Sequence, residues 1–488
     1  MSDSYDAIII GAGVNGLTAA AYLARAGKQV LVVEGASQTG GLSQSVPLAD
    51  GYLSPQVAHT FYAIDTKLLR DFRKVRNGLL FASRDIPLAG IGEDGAPLVL
   101  SRDGFASAAS ISLHSQHDAE AWGRFRAEQF ALARALRPLW WKEKRFELSR
   151  LSRKHQQLLS TLQSASAVAW LDNWFESDLL KATLALDATE MSPLEPGSAL
   201  PLLWRAAQEM CGFQGAVAVP RRGPGALIRL LAGAAATAGT TIRTNVRAER
   251  LLIDEHGVAG VELPFREVVR ASTVLSSLSR RETLLDLVGE ALPFAEARRL
   301  ERGDRKTGAA LVTLLLNDAP NFGGGHMPRE ARFATAGRME TVIAADTEAR
   351  AGKLPDDLVF ETLVSSEADT TLAPPGKHVV TCLVRPVPLA PAEGWNVLTP
   401  RLTAKIISTL DKLSPGLVPT IVSVHAATPD VLPGHDDALT PGRMLAQWRE
   451  RIRTVVPGLY LCGAAAEPVG AVSGRAGRIA AAIAMEGR

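Results

Sequence analysis

Cysteine is scarce: 488 residues carry three, Cys211, Cys382 and Cys462, far apart along the chain. That spacing gives no disulfide framework, suits a reducing compartment and leaves no close thiol pair for disulfide-reductase chemistry. No uncharged apolar stretch approaches the roughly 18 residues that a membrane-crossing helix needs, so none is predicted. Charge of one sign is lacking too. Lys and Arg number 53 against 51 Asp and Glu, which argues against a dedicated nucleic-acid binder. Nine histidines are scattered without close ligand spacing, and no metal site is expected. Met1-Ser2-Asp3-Ser4 is short and polar, so no signal segment is read before the first strand, and the expected location is cytoplasmic. Internal repeats and low-complexity tails are missing as well. What is left is ordinary: 47% hydrophobic and 21% charged residues, and length enough for two or more compact units.

Against that background the first 41 residues stand out. Tyr5 to Ile10 is an apolar run readable as a buried parallel strand, and it enters Gly11-Ala12-Gly13-Val14-Asn15-Gly16 directly. A helix-like stretch from Leu17 to Ala26 follows, then the turn Gly27-Lys28 and the strand Val30 to Val33, which ends on Glu34. Each part has a physical task in binding a dinucleotide. Gly11 permits the tight turn, Gly13 lets backbone amides approach a pyrophosphate at the helix N-terminus, and Gly16 lets helix and strand pack closely. The Glu34 carboxylate is placed to accept ribose hydroxyls. A second such unit is absent, since Gly223-Pro224-Gly225 lacks the spacing and follows two arginines. A separate NAD(P)H domain is therefore not expected.

Further along, residues 118–208 are mainly helical in pattern. Leu148, Leu151, His155, Leu158 and Leu162 recur at spacings of three and four, one face of an amphipathic helix, with His155 read as core or rim. Pro138 is expected to start a new helix there. Gly223 to Gly225 turns into a helix, Ala226 to Ala238, followed by a strand near Thr241 to Thr244, a hairpin at Asp254 to Gly257 and a strand from Thr273 to Leu278. The runs Ala309–Leu316, Leu358–Val364, Val379–Val384 and Thr420–Val424 predict a separate antiparallel sheet, interrupted by a helix from Leu402 to Leu413. The chain ends with a short strand at Leu459 to Cys462 and a Gly- and Ala-rich helix. The expected fold class is α/β. A Rossmann-like nucleotide domain is assembled from residues 1–75, 212–292 and 436–488. A substrate domain of helices and antiparallel sheet comes from 76–211 and 293–435.

The Glu-x5-Gly-Gly spacing from Glu34 to Gly40-Gly41 resembles FAD-binding two-domain flavoproteins more than nicotinamide dehydrogenases. Together with Trp174 to Ala182, the Gly223–Leu227 turn and Leu459 to Ala481, these motifs resemble the phytoene dehydrogenase (carotenoid desaturase-like) branch of the flavin-dependent amine oxidase superfamily. The resemblance spans nearly the whole chain. It implies FAD, held by Gly11, Ala12, Gly13, Val14, Asn15, Gly16, Glu34, Gly40, Gly41 and Leu42. It also implies Ala248 near the adenine, Gly463 and Ala464 along the ribityl chain, and Ala471 and Val472 near the ring. The closing helix would aim its N-terminus at the flavin's pyrimidine end, where reduced flavin carries negative charge. Departures are clear. Relatives commonly read Cys-Gly-Ala-Gly-Thr-His-Pro where this chain has Cys462-Gly463-Ala464-Ala465-Ala466-Glu467-Pro468, Ala464 lacks the carboxylate that others offer a ribityl hydroxyl, and Leu42 stands where many carry arginine.

Glu467 and His59 are the candidate catalytic groups, either as a base or, for Glu467, as a cation anchor; the bland alternatives are an exposed loop carboxylate and a histidine satisfied by backbone. Gly323-Gly324-Gly325-His326 would suit a loop near a cavity. Residues 134–154 hold eight Lys/Arg and two Glu with Trp140, Trp141 and Phe146 interleaved. A solvated helix face is the favoured reading, with peripheral membrane contact left open. The expected activity is dehydrogenation of a small or hydrophobic organic substrate by hydride transfer to flavin N5. The alternatives are amine oxidation, redox-neutral isomerisation, and a non-catalytic prenyl or lipid carrier.

Overall fold

The computed structural model describes residues 4–75, 78–92, 95–302, 306–325, 327–432 and 439–487. Five parallel strands form one sheet, in the order Thr241–Arg243, Val30–Val33, Ala7–Ile10, Val274–Ser276, Leu459–Leu461. Continuous Val/Ile/Leu runs suit strands covered on both faces. Alternate residues take opposite sides: Ala7, Ile9, Val30 and Val32 pack under helices, whereas Ile8, Ile10, Leu31 and Val33 pack against a small antiparallel sheet. That second layer is Arg250–Asp254, Gly257–Leu263 and Glu267–Arg270, with the expected hairpin closing between Asp254 and Gly257. The helical layer consists of Val14–Arg25, Gly225–Thr237 and Arg475–Met485.

From the strand Ala7–Ile10 the chain moves first to one side and later returns on the other, at Val274–Ser276. Such a switch point opens a crevice beyond the carboxyl ends of the strands. Ser277 closes its floor, donating from Oγ to the carbonyls of Ile10 (2.9 Å) and Gly11 (3.1 Å).

A seven-stranded sheet faces that crevice. Its order is Ile421–Ala427, Thr307–Leu316, His378–Pro388, Phe360–Val364, Arg332–Ala334, Leu88–Ile91, Pro97–Leu100. Four of these are the expected antiparallel strands; the other three extend the sheet, and Arg332–Ala334 pairs parallel with Leu88–Ile91. Trp395–Leu413, longer than expected, packs on one face of this sheet.

Two local expectations fail. Pro138 does not start a helix but lies near the end of Gln116–Trp141, where one turn remains and burial of Trp140 holds that turn in place. The run from Leu148 to Leu162 is not one helix. Ser152 caps a new start, accepting from the His155 amide at 3.2 Å, and Leu159 with Leu162 form the buried face. His155 is only half-buried at its start. The tryptophans of the basic segment turn inward: Trp140 donates from Nε1 to Met444 O at 2.9 Å, and the guanidinium groups of Arg137 and Arg475 lie 4.8 and 5.1 Å from the Trp141 ring. The aromatic part of the membrane reading is thereby spent on packing. Among the described residues no helix is long and apolar enough to cross a membrane.

Candidate active site

The glycine loop is set by contacts, not by freedom alone. Gly11, at φ +91°, would drive a Cβ to 2.3 Å from Ser277 Oγ, and a Cβ on Gly16 would reach Gly11 O at 2.0 Å. Gly13 is different. No atom lies within 4 Å of the position its Cβ would take, and its φ of −75° suits any residue. The bare position is not required by the protein's own packing; it faces open space at the start of the helix Val14–Arg25, whose first amides favour an anion.

Around this opening the other cradle residues gather. Gly40 pairs with Gly13 and donates to Ala12 O at 2.9 Å, and Gly41 lies against Gly13. Glu34 accepts from the amides of Ala12 (2.7 Å) and Ala36 (2.9 Å), one on each oxygen, which leaves lone pairs on both for ribose hydroxyls. Ala248 belongs to the apolar layer beside Glu34. Its side chain packs with Leu31, Val33 and Leu251, and its segment is tied in by Val246 N–H to Glu34 O.

A cavity of about 380 Å³ joins the two halves of the molecule. Gly13, Val14, Asn15, Gly40, Leu42, Gly463, Ala464, Ala471 and Val472 line it together with both candidate catalytic groups, His59 and Glu467. Gly11, Ala12, Gly16, Gly41, Glu34 and Ala248 are not among its lining residues. Gly463 is bare for packing reasons, since a Cβ would lie 2.2 Å from Ser277 O. Of the Gly323 to His326 loop, His326 lies outside the described residues.

The far wall carries a buried ionic cluster that the sequence reading missed. His59 meets Glu361 Oε1 through Nε2 at 2.7 Å and Thr381 Oγ1 through Nδ1 at 2.9 Å. Arg332 Nη2 lies 2.7 Å from Glu361 Oε2 and 2.8 Å from Asp187 Oδ1, and Arg385 Nη1 lies 2.6 Å from Glu190. Arg205 lies over the Tyr62 ring at 3.5 Å. Burial by itself would raise the Glu361 carboxyl, but Arg332 and His59 hold it well below the usual range. Asp187 is likewise lowered, against the effect of burial, by Arg205 and Arg332. A signal did exist. Glu361 and Arg385 each stand alone in an apolar run, and a lone charge there must find a partner, whereas Arg332, two residues after Glu330, carries no such signal.

Glu467 is buried, only 1% exposed, so the reading as an exposed loop carboxylate is corrected. The closing helix Arg475–Met485 has Gly474 at its cap, which offers no side chain. Glu467 Oε1 does that work, accepting from Ser473 Oγ and from the Ala476 amide at 3.1 Å. Oε2 has no hydrogen-bond partner among the described residues. Burial pushes the carboxyl up, against Arg475, Ser473, the Ala476 amide and Arg451. Outside this cavity, His117, Asp118 and Glu176 bring ligand-type atoms close together. Asp118 accounts for the grouping, since it accepts from the amides of Glu176 and Ser177 at 2.8 Å each.

A family model described as FAD dependent oxidoreductase matches residues 6–295. The chain belongs to the FAD-dependent oxidoreductases. A mouse relative, pyridine nucleotide-disulfide oxidoreductase domain-containing protein 2, is 30% identical over 549 residues, covering 99% of this flavoenzyme and 94% of the relative. Among solved structures, an oxidoreductase from Methanosarcina mazei superposes with a TM-score of 0.68 at 18% identity, covering 98% of this chain and 99% of its own. Putrescine oxidase bound to putrescine superposes with a TM-score of 0.65 at 16% identity, covering 100% of this chain and 99% of its own. FAD is the flavoenzyme's cofactor, and the residues present fit it: the open space at Gly13, the helix N-terminus behind it and the Glu34 carboxylate form a dinucleotide cradle. The three cysteines are free and form no pair.

Proposed function

We propose that this flavoenzyme is a dehydrogenase of the desaturase-like branch, taking hydride and a proton from a small or hydrophobic organic substrate and leaving a double bond. One observation carries the reading: the same cavity is lined by the nucleotide cradle, by apolar Val57, Ala58, Leu383 and Val469, and by the buried groups Glu467 and His59. FAD bound in the cradle supplies the hydride acceptor at N5. Gly13 leaves room for the pyrophosphate, Gly463 and Ala464 would border the ribityl chain, and Ala471 and Val472 the ring. Glu467 would take the proton through its unpartnered Oε2, and a carboxyl raised by burial is the better base near neutral pH. His59, held at both ring nitrogens, would fix the polar end of the cavity. Apolar walls exclude water from the reacting C–H bond.

The cavity's other carboxylates favour dehydrogenation over amine oxidation. Asp187, Glu190 and Glu361 are already paired with arginine, so none stands unneutralised to receive an ammonium. Glu467 Oε2 is the one feature in favour of an amine, as a cation anchor. Glu467→Gln separates the two. A base role predicts flavin reduction slowed by about 10²–10⁴-fold at saturating substrate, whereas an anchor role weakens substrate binding and keeps that rate. The substrate class is found by anaerobic mixing of the yellow holoprotein with polyenes, amines and cyclic metabolites. Bleaching by amines alone overturns the desaturase reading, and a colourless protein that takes up no FAD overturns the enzyme.

A further inference from the structure

Asp187, Arg205 and Arg332 line the active-site cavity and also a second cavity of about 150 Å³. These three side chains are therefore a partition between two chambers. The outer one is walled by buried Leu100, Trp122, Phe125 and Ala206, and it reaches solvent at Arg102, whose side chain is 52% exposed. Four guanidinium groups line it, from Arg102, Arg126, Arg205 and Arg332, against two carboxylates, Asp85 and Asp187. The surplus is positive, and the walls are apolar and aromatic.

The partition is unevenly fixed. Arg332 is clamped between Glu361 and Asp187, but Arg205 Nε meets Asp187 only at 3.8 Å. Arg205 Nη2 is buried without a hydrogen-bond partner among the described residues, a costly state that a ligand oxygen would relieve. We propose that the outer chamber binds the apolar body of a substrate carrying an anionic group, and that Arg205 receives this group and, in leaving Asp187, opens the way to the inner cavity. The proposal rests on the reading of the inner cavity as the site of dehydrogenation.

The test uses the holoprotein with 4-phenylbutyrate and its neutral counterpart 4-phenylbutan-1-ol. Calorimetry reports binding, and the visible flavin band reports whether the inner cavity senses it. The acid should bind about tenfold more tightly than the alcohol, the usual scale for one charge-assisted hydrogen bond, and its saturation should shift the flavin band. Arg205→Met should reduce the preference to about twofold or less, Arg205→Lys should restore part of it, and Ala206→Trp should abolish binding of both probes. FAD content and thermal midpoint identify any variant that has failed to fold. Equal affinity for acid and alcohol, or undiminished binding to folded Ala206→Trp, overturns the site; tight acid binding without a band shift overturns the passage. Should no candidate substrate bleach the flavin while these probe results hold, the dehydrogenation reading falls and the anion site stands.

Discussion

Glu467 sits where two demands on one carboxylate meet. Oε1 accepts from the Ala476 amide beside Ser473 Oγ, which takes the Arg475 amide, while burial without a partner for Oε2 among the described residues disfavours the charge. The folded-state carboxyl is thus raised above its ordinary 4.5. Its contribution to stability is complete below that value and is lost as pH rises through the folded one, because the folded chain holds the proton longer. Glu467→Gln removes this titration. Urea midpoints from about pH 4 to 8 should show the wild type losing stability relative to E467Q as pH rises; a difference flat across that range would show that the carboxyl is not raised. Gly13 isolates a different demand. Its Cβ position is empty, so Gly13→Leu should cost the fold no more than the roughly 1 kcal/mol of a poor cap. The same side chain would fill the pyrophosphate's space. Purified G13L should be folded and colourless, and full FAD content in it would remove the cradle from the assignment.

Elements meet at glycines that the protein's packing does require. Gly477 in the closing helix approaches the helix Val14–Arg25 so closely that a Cβ would lie 2.0 Å from Asn15 O. Backbone cannot yield as a flexible side chain can, so Gly477→Ala should push the two helices apart at about 1–3 kcal/mol. Asn15 borders the cavity, and the displacement should therefore weaken FAD binding as well as lower the urea midpoint. Loss of stability with unchanged FAD affinity would confine the role of Gly477 to packing. At this scale the sequence was readable where signals are local. The strand, glycine loop, helix and acid of residues 7–34 needed only spacing. The seven-stranded sheet was seen in part, because Leu88–Ile91 and Pro97–Leu100 are four residues each and carry Gly90 and Pro97, which mask the strand pattern. Pro138 misled because tertiary burial of Trp140 outweighs a local helix break.

Across the whole molecule, the nucleotide half of the site was legible and the far wall was not. His59 and Glu361 are 302 residues apart, and Arg332 and Asp187 are 145 apart. Pairing at such range depends on how the seven-stranded sheet docks over the crevice, and no periodicity encodes that. Glu467 lines the cavity, but its burial and its contact with the closing helix needed the fold. One property of the whole chain bears on its redox partner. Among the described residues there is one parallel sheet and one glycine loop opening a crevice at its switch point. A flavoprotein that draws electrons from NADH or NADPH needs a place for a second dinucleotide, in line with its flavin, and the sequence offers no second motif for one. Electrons should enter from the organic substrate and leave to oxygen, a quinone or a dye. In stopped-flow mixing under nitrogen, either nicotinamide should reduce the flavin far more slowly than the substrate that bleaches it. Fast stoichiometric bleaching by NADH or NADPH would reverse that direction of electron flow and make the inner cavity a site of substrate reduction.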